Sequence, residues 1–181
     1  MTKVVRYPIF LFLFFLTTAS FSQKKSDGPI ISGFGEVFMI ENPDFKVDPT
    51  QEYKAVFDIM NSPESHDALN RSIETAARFL NMHAQAGVPK DKLRAAIVVH
   101  NAASKDIITN EAYQKRYGSD NPNSGLIQAL LDADVQVIFC GQSSAARNFP
   151  KEELIEGVQL ALSAMTVLID LQNQGYRLIK F

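Results

Sequence analysis

The sequence predicts an α/β protein: a compact three-layer sandwich with a mostly parallel sheet of about five strands and helices on both faces. Short apolar runs alternate with segments of helical period from Tyr53 onward, the pattern that builds parallel sheets through helical crossovers. One run, Ala95-Ala96-Ile97-Val98-Val99-His100, is continuously apolar up to its histidine, as a strand covered on both faces must be. Breaker residues fall between the runs, at Gly87-Val88-Pro89, Gly118 and Gly175.

Each element follows from its own pattern. Ala55-Val56-Phe57-Asp58-Ile59-Met60 is a short strand ended by Asn61-Ser62-Pro63. Leu69, Ile73, Ala76 or Ala77, Leu80 and Ala84 recur at helical spacing, with His66 and His83 read as helix-surface residues. After the Ala95–His100 strand, Ile107 to Tyr117 reads as helix, and Asn123 or Ser124 caps another that runs through Ala133. Val135 to Cys140 is a strand that turns into a helix at Gly141. Pro150-Lys151-Glu152-Glu153-Leu154 has the proline and acids of a helix start, and Val158 to Ala161 reads as a fourth strand. Ser163 to Gln174 is a helix ended by Gly175, and Tyr176 to Phe181 is the last strand. That last helix is apolar around most of its circumference, through Met165, Val167, Leu168, Ile169 and Leu171. Such a helix needs cover on all sides, which predicts a homo-oligomer.

The N-terminus sets the compartment. Lys3 and Arg6 precede the apolar run Ile9–Leu16, and small residues follow, the layout of a secretory signal. Residues 1–22 are therefore expected to be removed after Ser22, leaving an exported protein, periplasmic or secreted, with no stable membrane insertion; the run is too short for an ordinary transmembrane helix. Residues 23–51 form an N-terminal arm rich in Gly, Pro, Asp and Asn. Its stretch Ile30–Ile40 is too apolar for a free linker and predicts an extra strand or an arm packed on a neighbouring subunit. Residues 52–181 are the α/β domain. The chain is mildly acidic, with formal charge −2, and has no basic run, so nothing indicates nucleic acid. The three histidines have no metal-ligand spacing, and there is no phosphate loop or serine elbow. Neither a metal nor a cofactor is implied.

Cys140 is the one cysteine, so no intrachain disulfide can form. Exported proteins usually pair their cysteines, so this thiol is either buried or used. It sits where a strand end meets a helix start, where ligands collect in parallel sheets and unpaired backbone N–H groups favour a thiolate. The N–H groups of Gly141, Gln142 and Ser143 are candidates to hold an anionic species. Asp58 to Asn61 and His100-Asn101 should end on the same sheet edge. His100 could support the thiolate or relay a proton, and Arg147, about two turns further on, could add positive charge. Each has a structural alternative: a buried cysteine, a hydrogen-bonded strand-end histidine, serines that only cap a helix, and an arginine that only covers apolar surface.

These motifs carry a resemblance. Tyr53-Lys54-Ala55-Val56-Phe57, Ala95 to Asn101, Asn121-Pro122-Asn123, Cys140-Gly141-Gln142-Ser143, Ala161 to Leu168 and Gln174-Gly175-Tyr176 resemble the DsrE/DsrF-like family. The resemblance spans roughly Tyr53 to Phe181 and implies a DsrE/YchN-like fold assembled as a trimer or hexamer, here in an exported branch. In the family's sulfur-relay branch a cysteine at this strand end carries sulfur as a persulfide and is followed, after small residues, by an arginine; Cys140 and Arg147 look similar. Gly141-Gln142-Ser143 directly after the cysteine departs from the relay proteins. Two functions follow as expectations. One is sulfane-sulfur binding or transfer through Cys140, as a sulfurtransferase or sulfur carrier. The other is a non-catalytic oligomer that binds a small sulfur-containing or anionic molecule, with Cys140 structural.

Overall fold

A computed structural model describes residues 24–180; the expected signal segment, Gln23 and Phe181 lie outside it. Two short strands, β1 (Lys25–Ser26) and β2 (Val37–Phe38), pair antiparallel. The main elements are β3 (Tyr53–Ile59), α1 (Arg71–Gln85), β4 (Leu93–Val99), α2 (Asn110–Tyr117), α3 (Ser124–Asp132), β5 (Gln136–Cys140), α4 (Gly141–Arg147), β6 (Gln159–Ala161), α5 (Ala164–Asn173) and β7 (Arg177–Ile179). The main sheet has five strands in the order β6-β5-β4-β3-β7, every neighbouring pair parallel.

The two-residue period of a strand divides the core. Phe57 and Ile59, Ile97 and Val99, and Val137 and Phe139 pack with α1 and α3 on one face. Val56, Ala96, Val98, Ile138 and Cys140 pack with Ala164, Val167 and Leu171 of α5 on the other. Central β4 is buried on both faces, which accounts for its unbroken apolar run.

The arm has a place on its own chain. Asn81 on α1 is fully buried. Its Oδ1 accepts the Ile31 N–H at 2.9 Å, and its Nδ2 faces the carbonyls of Ile31, Phe34 and Gly35 at 2.9, 3.1 and 3.2 Å. One amide side chain thus supplies the pairing that a strand partner would give. β2 joins β1 and not the main sheet.

Several local readings change. Ile107 is the end of a 3₁₀ helix, Asn101–Ile107, and α2 starts only after Thr109, whose hydroxyl oxygen accepts the Ala112 N–H at 3.2 Å. The Pro150 segment makes a single 3₁₀ turn, Lys151–Glu153. It goes no further because Leu154 and Ile155 are drawn into the core and the Ile155 N–H bonds the Ile107 carbonyl at 3.1 Å. His66 lies in a turn stacked on Tyr117 (ring centroids 4.3 Å), and His83 is half-buried between Tyr53 and Phe79. α5 buries Ala164, Val167 and Leu171 but leaves Met165 and Ile169 more than half exposed.

Gly175 has φ +90°, the left-handed conformation expected of a glycine that ends a helix. Gly175→Val is expected to cost about 1 kcal/mol or more, read as a lower Tm. Since no non-neighbouring atom of the described residues lies within 4 Å of a Cβ built there, the loss measures backbone strain and not a clash.

Candidate functional site

Cys140 is the last residue of β5 and the N-cap of α4. It is 5% exposed. Burial pushes its thiol pKa up, but the N–H groups of Ser143 and Ala164, the Ser143 hydroxyl and the Gln142 N–H outweigh it and leave the thiol below its ordinary 9.0. These amides begin two different helices, since Ala164 opens α5. Unpaired amides at helix starts stabilise an anion, so the thiolate is the form this setting favours.

The amide set differs in one member from Gly141, Gln142 and Ser143. Ala164 takes the place of Gly141, whose role is spatial. A Cβ built on Gly141 would stand 2.5 Å from the Ala161 carbonyl oxygen and 3.2 Å from that of Leu162. The missing side chain lets α4 close against the end of β6, and that brings the start of α5 to the sulfur. Gln142 ties the same corner, its Nε2 donating to the Leu162 carbonyl at 3.2 Å.

Ser143 is a linking residue. The Asn101 N–H donates to its Oγ at 3.0 Å, which leaves the hydroxyl proton free for the thiolate. Asn101 reaches this position in the left-handed region, φ +55°, which asparagine tolerates better than most residues. Arg147 is exposed, and its guanidinium donates to Asn101 Oδ1. The guanidinium is tied to that loop, and it is absent from the groups that lower the thiol's pKa.

Strand register places Asp58, His100 and Cys140 on the α5 face, each two residues beyond a residue that packs there. Among the described residues, however, the side-chain partner of His100 is Asp58, with Nε2 2.7 Å from Oδ1. The other Asp58 oxygen binds Lys180 Nζ at 2.9 Å. Burial raises the Asp58 carboxyl, and Lys180 and His100 together more than offset it, holding it below its ordinary 3.8. Its stabilising effect is therefore present above pH 3.8 and lost as pH falls through the lower folded value. His100 is a hydrogen-bond partner of Asp58 next to the thiol strand and not a direct ligand of the sulfur.

A second polar cluster supports this edge and was not legible as a site. Asp106 is fully buried. Its carboxylate accepts from Ser62 Oγ at 2.9 Å, Asn70 Nδ2 at 2.7 Å and Asn123 Nδ2 at 3.2 Å, with Lys105 Nζ at 3.5 Å. Asn70 also caps α1, accepting the Ser72 and Ile73 N–H groups. Asn123 stands at the N-cap of α3 but makes no side-chain cap, because its Oδ1 accepts the Asn70 N–H at 2.7 Å. Lys180, Ala164 and Asp106 carry no local sequence signal for these roles; Asn123, read as a helix cap, was the one visible trace. Among the described residues no group of three or more His, Cys, Asp or Glu side chains is placed to hold a metal, and no helix is long and apolar enough to cross a membrane.

Two solved structures share the architecture. A protein of unknown function, MTH1491, from Methanobacterium thermoautotrophicum superposes with TM-score 0.55 at 19% identity, covering 72% of this chain and 100% of that one. The ychN protein from E. coli superposes with TM-score 0.53 at 16% identity, covering 71% of this chain and 99% of that one. At these identities the likeness is one of fold. No curated protein matches the chain. The DsrE/DsrF-like family matches residues 54–181, from the second residue of β3 through the whole five-stranded domain, and the chain belongs to that family.

Proposed function

We propose that this is an exported DsrE-like protein that binds or transfers sulfane sulfur through Cys140. The observation that carries the reading is the thiol setting: a cysteine at a strand end whose ionisation is favoured by amides from the starts of α4 and α5. The thiolate would attack a sulfane sulfur of a polysulfide, forming one S–S bond to Cys140 and breaking one in the donor, which leaves as a polysulfide shorter by one sulfur. No outside oxidant is needed. The amides of Gln142, Ser143 and Ala164 would hold the anionic persulfide, and Ser143 would be set in place by Asn101. Export rests on Lys3, Arg6 and the Ile9–Leu16 run. Assembly as a trimer or hexamer is supported by the exposed apolar surface of Leu160, Leu162, Met165 and Ile169 along β6 and α5.

The burial of Cys140 at 5% exposure favours one second reading: a non-catalytic oligomer that binds a small anion, with the cysteine only lining the wall. Alkylation rate against pH, with intact mass after polysulfide treatment, separates the two. Sulfur carriage predicts an inflection below pH 9.0 and a mass gain of about 32 Da, one sulfur atom, that Cys140→Ser abolishes. A slow thiol without an adduct would overturn it in favour of the second reading.

A further inference from the structure

Away from the thiol, on the opposite face of the sheet, an open groove of about 730 Å³ runs between the arm, α1 and the β3–β7 edge. Among the described residues, nothing lies over β7 on this side. The helix that leads into β7 is α5, and α5 packs on the other face. Tyr53, Phe57, Phe79 and Ile179 supply apolar floor and wall, and Arg78 and Arg177 stand among the lining residues. The carboxylate on its wall, Glu52, is already paired with Lys54 at 3.1 Å. Among the described residues, neither Arg78 nor Arg177 makes an ion pair or a side-chain hydrogen bond, and both are exposed.

We propose that this groove binds an amphipathic carboxylate, with its apolar body on Tyr53, Phe57, Phe79 and Ile179 and its carboxylate on Arg78 and Arg177. The volume is that of a small-molecule site. An apolar trough with unpaired guanidinium groups complements one charged end and one apolar end, and the planar guanidinium matches a carboxylate geometrically. This site shares no lining residue with the Cys140 setting, so it stands whether or not the thiol carries sulfur.

Titration calorimetry with decanoate tests it, with decanol as the uncharged equivalent. The mature protein is expected to bind decanoate, and the double variant Arg78→Glu/Arg177→Glu to bind it at least about tenfold more weakly with decanol binding unchanged. Both arginines are exposed, so the variant should fold, and an unchanged Tm checks this. Cys140→Ser should bind decanoate as the wild type does. Thr75→Trp, from the groove wall, should block decanoate and decanol alike. No binding by wild type up to about 1 mM, or equal affinity in the charge-reversed variant, overturns the proposal. So does a wild-type oligomer that Thr75→Trp dissociates, since the occupant would then be a second copy of the chain.

Discussion

Asp106→Ala is expected to destabilise the protein by about 3 kcal/mol, a fall in Tm on the order of 10 °C for a domain of this size. The carboxylate accepts from Ser62, Asn70 and Asn123 in a fully buried position. Alanine leaves the buried Asn70 and Asn123 amides without that acceptor. The damage should spread, because Asn70 caps α1 and Asn123 begins α3. Asp106→Asn should cost less, since its carbonyl oxygen can still accept from Asn70. The pair also has a pH signature. Burial raises the Asp106 pKa, with Asn70, Lys105 and Ser62 opposing it without cancelling it. A carboxyl raised on folding adds stability below the unfolded pKa of about 3.8, and that stability is lost as pH rises through the folded value. The Tm advantage of wild type over Asp106→Asn should therefore shrink as pH rises across that window. Thermal melts from pH 3.5 to 7 check both points, and equal melting of wild type and Asp106→Ala would refute the network's role.

Gly141→Ala is expected to cost about 2 kcal/mol and to raise the apparent pKa of Cys140. The added Cβ would lie 2.5 Å from the Ala161 carbonyl oxygen, and backbone at the end of a paired strand has little room to give. Relief requires the β6–α5 corner to move away from α4. That movement takes the Ala164 N–H from the sulfur, one of the groups that lower the thiol pKa. Burial, which raises it, remains. Gly125→Ala is the control: a Cβ there meets only the Phe34 ring at 3.5 Å, and alanine suits a helix better than glycine. It should leave both stability and alkylation near wild type or slightly improved. An unchanged alkylation profile in Gly141→Ala would show that α5 contributes nothing to the thiolate.

Local pattern was enough for the order of strands and helices, because a period of two or of 3.6 is written in neighbouring residues. The parallel five-stranded sheet, the β4 strand buried on both faces, the left-handed Gly175 and the position of Cys140 at a strand end before a helix all follow from it. Tertiary structure decided what each strand-end residue touches. His100 pairs with Asp58, 42 residues away in the chain, and not with the thiol, and Lys180 takes the other Asp58 oxygen. Ala164 enters the thiolate setting from the start of α5, beyond both α4 and β6. Asn123 gives up its expected cap for Asn70 and Asp106, and Arg147 turns to Asn101. The groove beside β7 exists because α5 chose the other face. These outcomes depend on which strands become neighbours and how closely their connections pack, and such long-range distances are set by the filled core and not by any local run of residues.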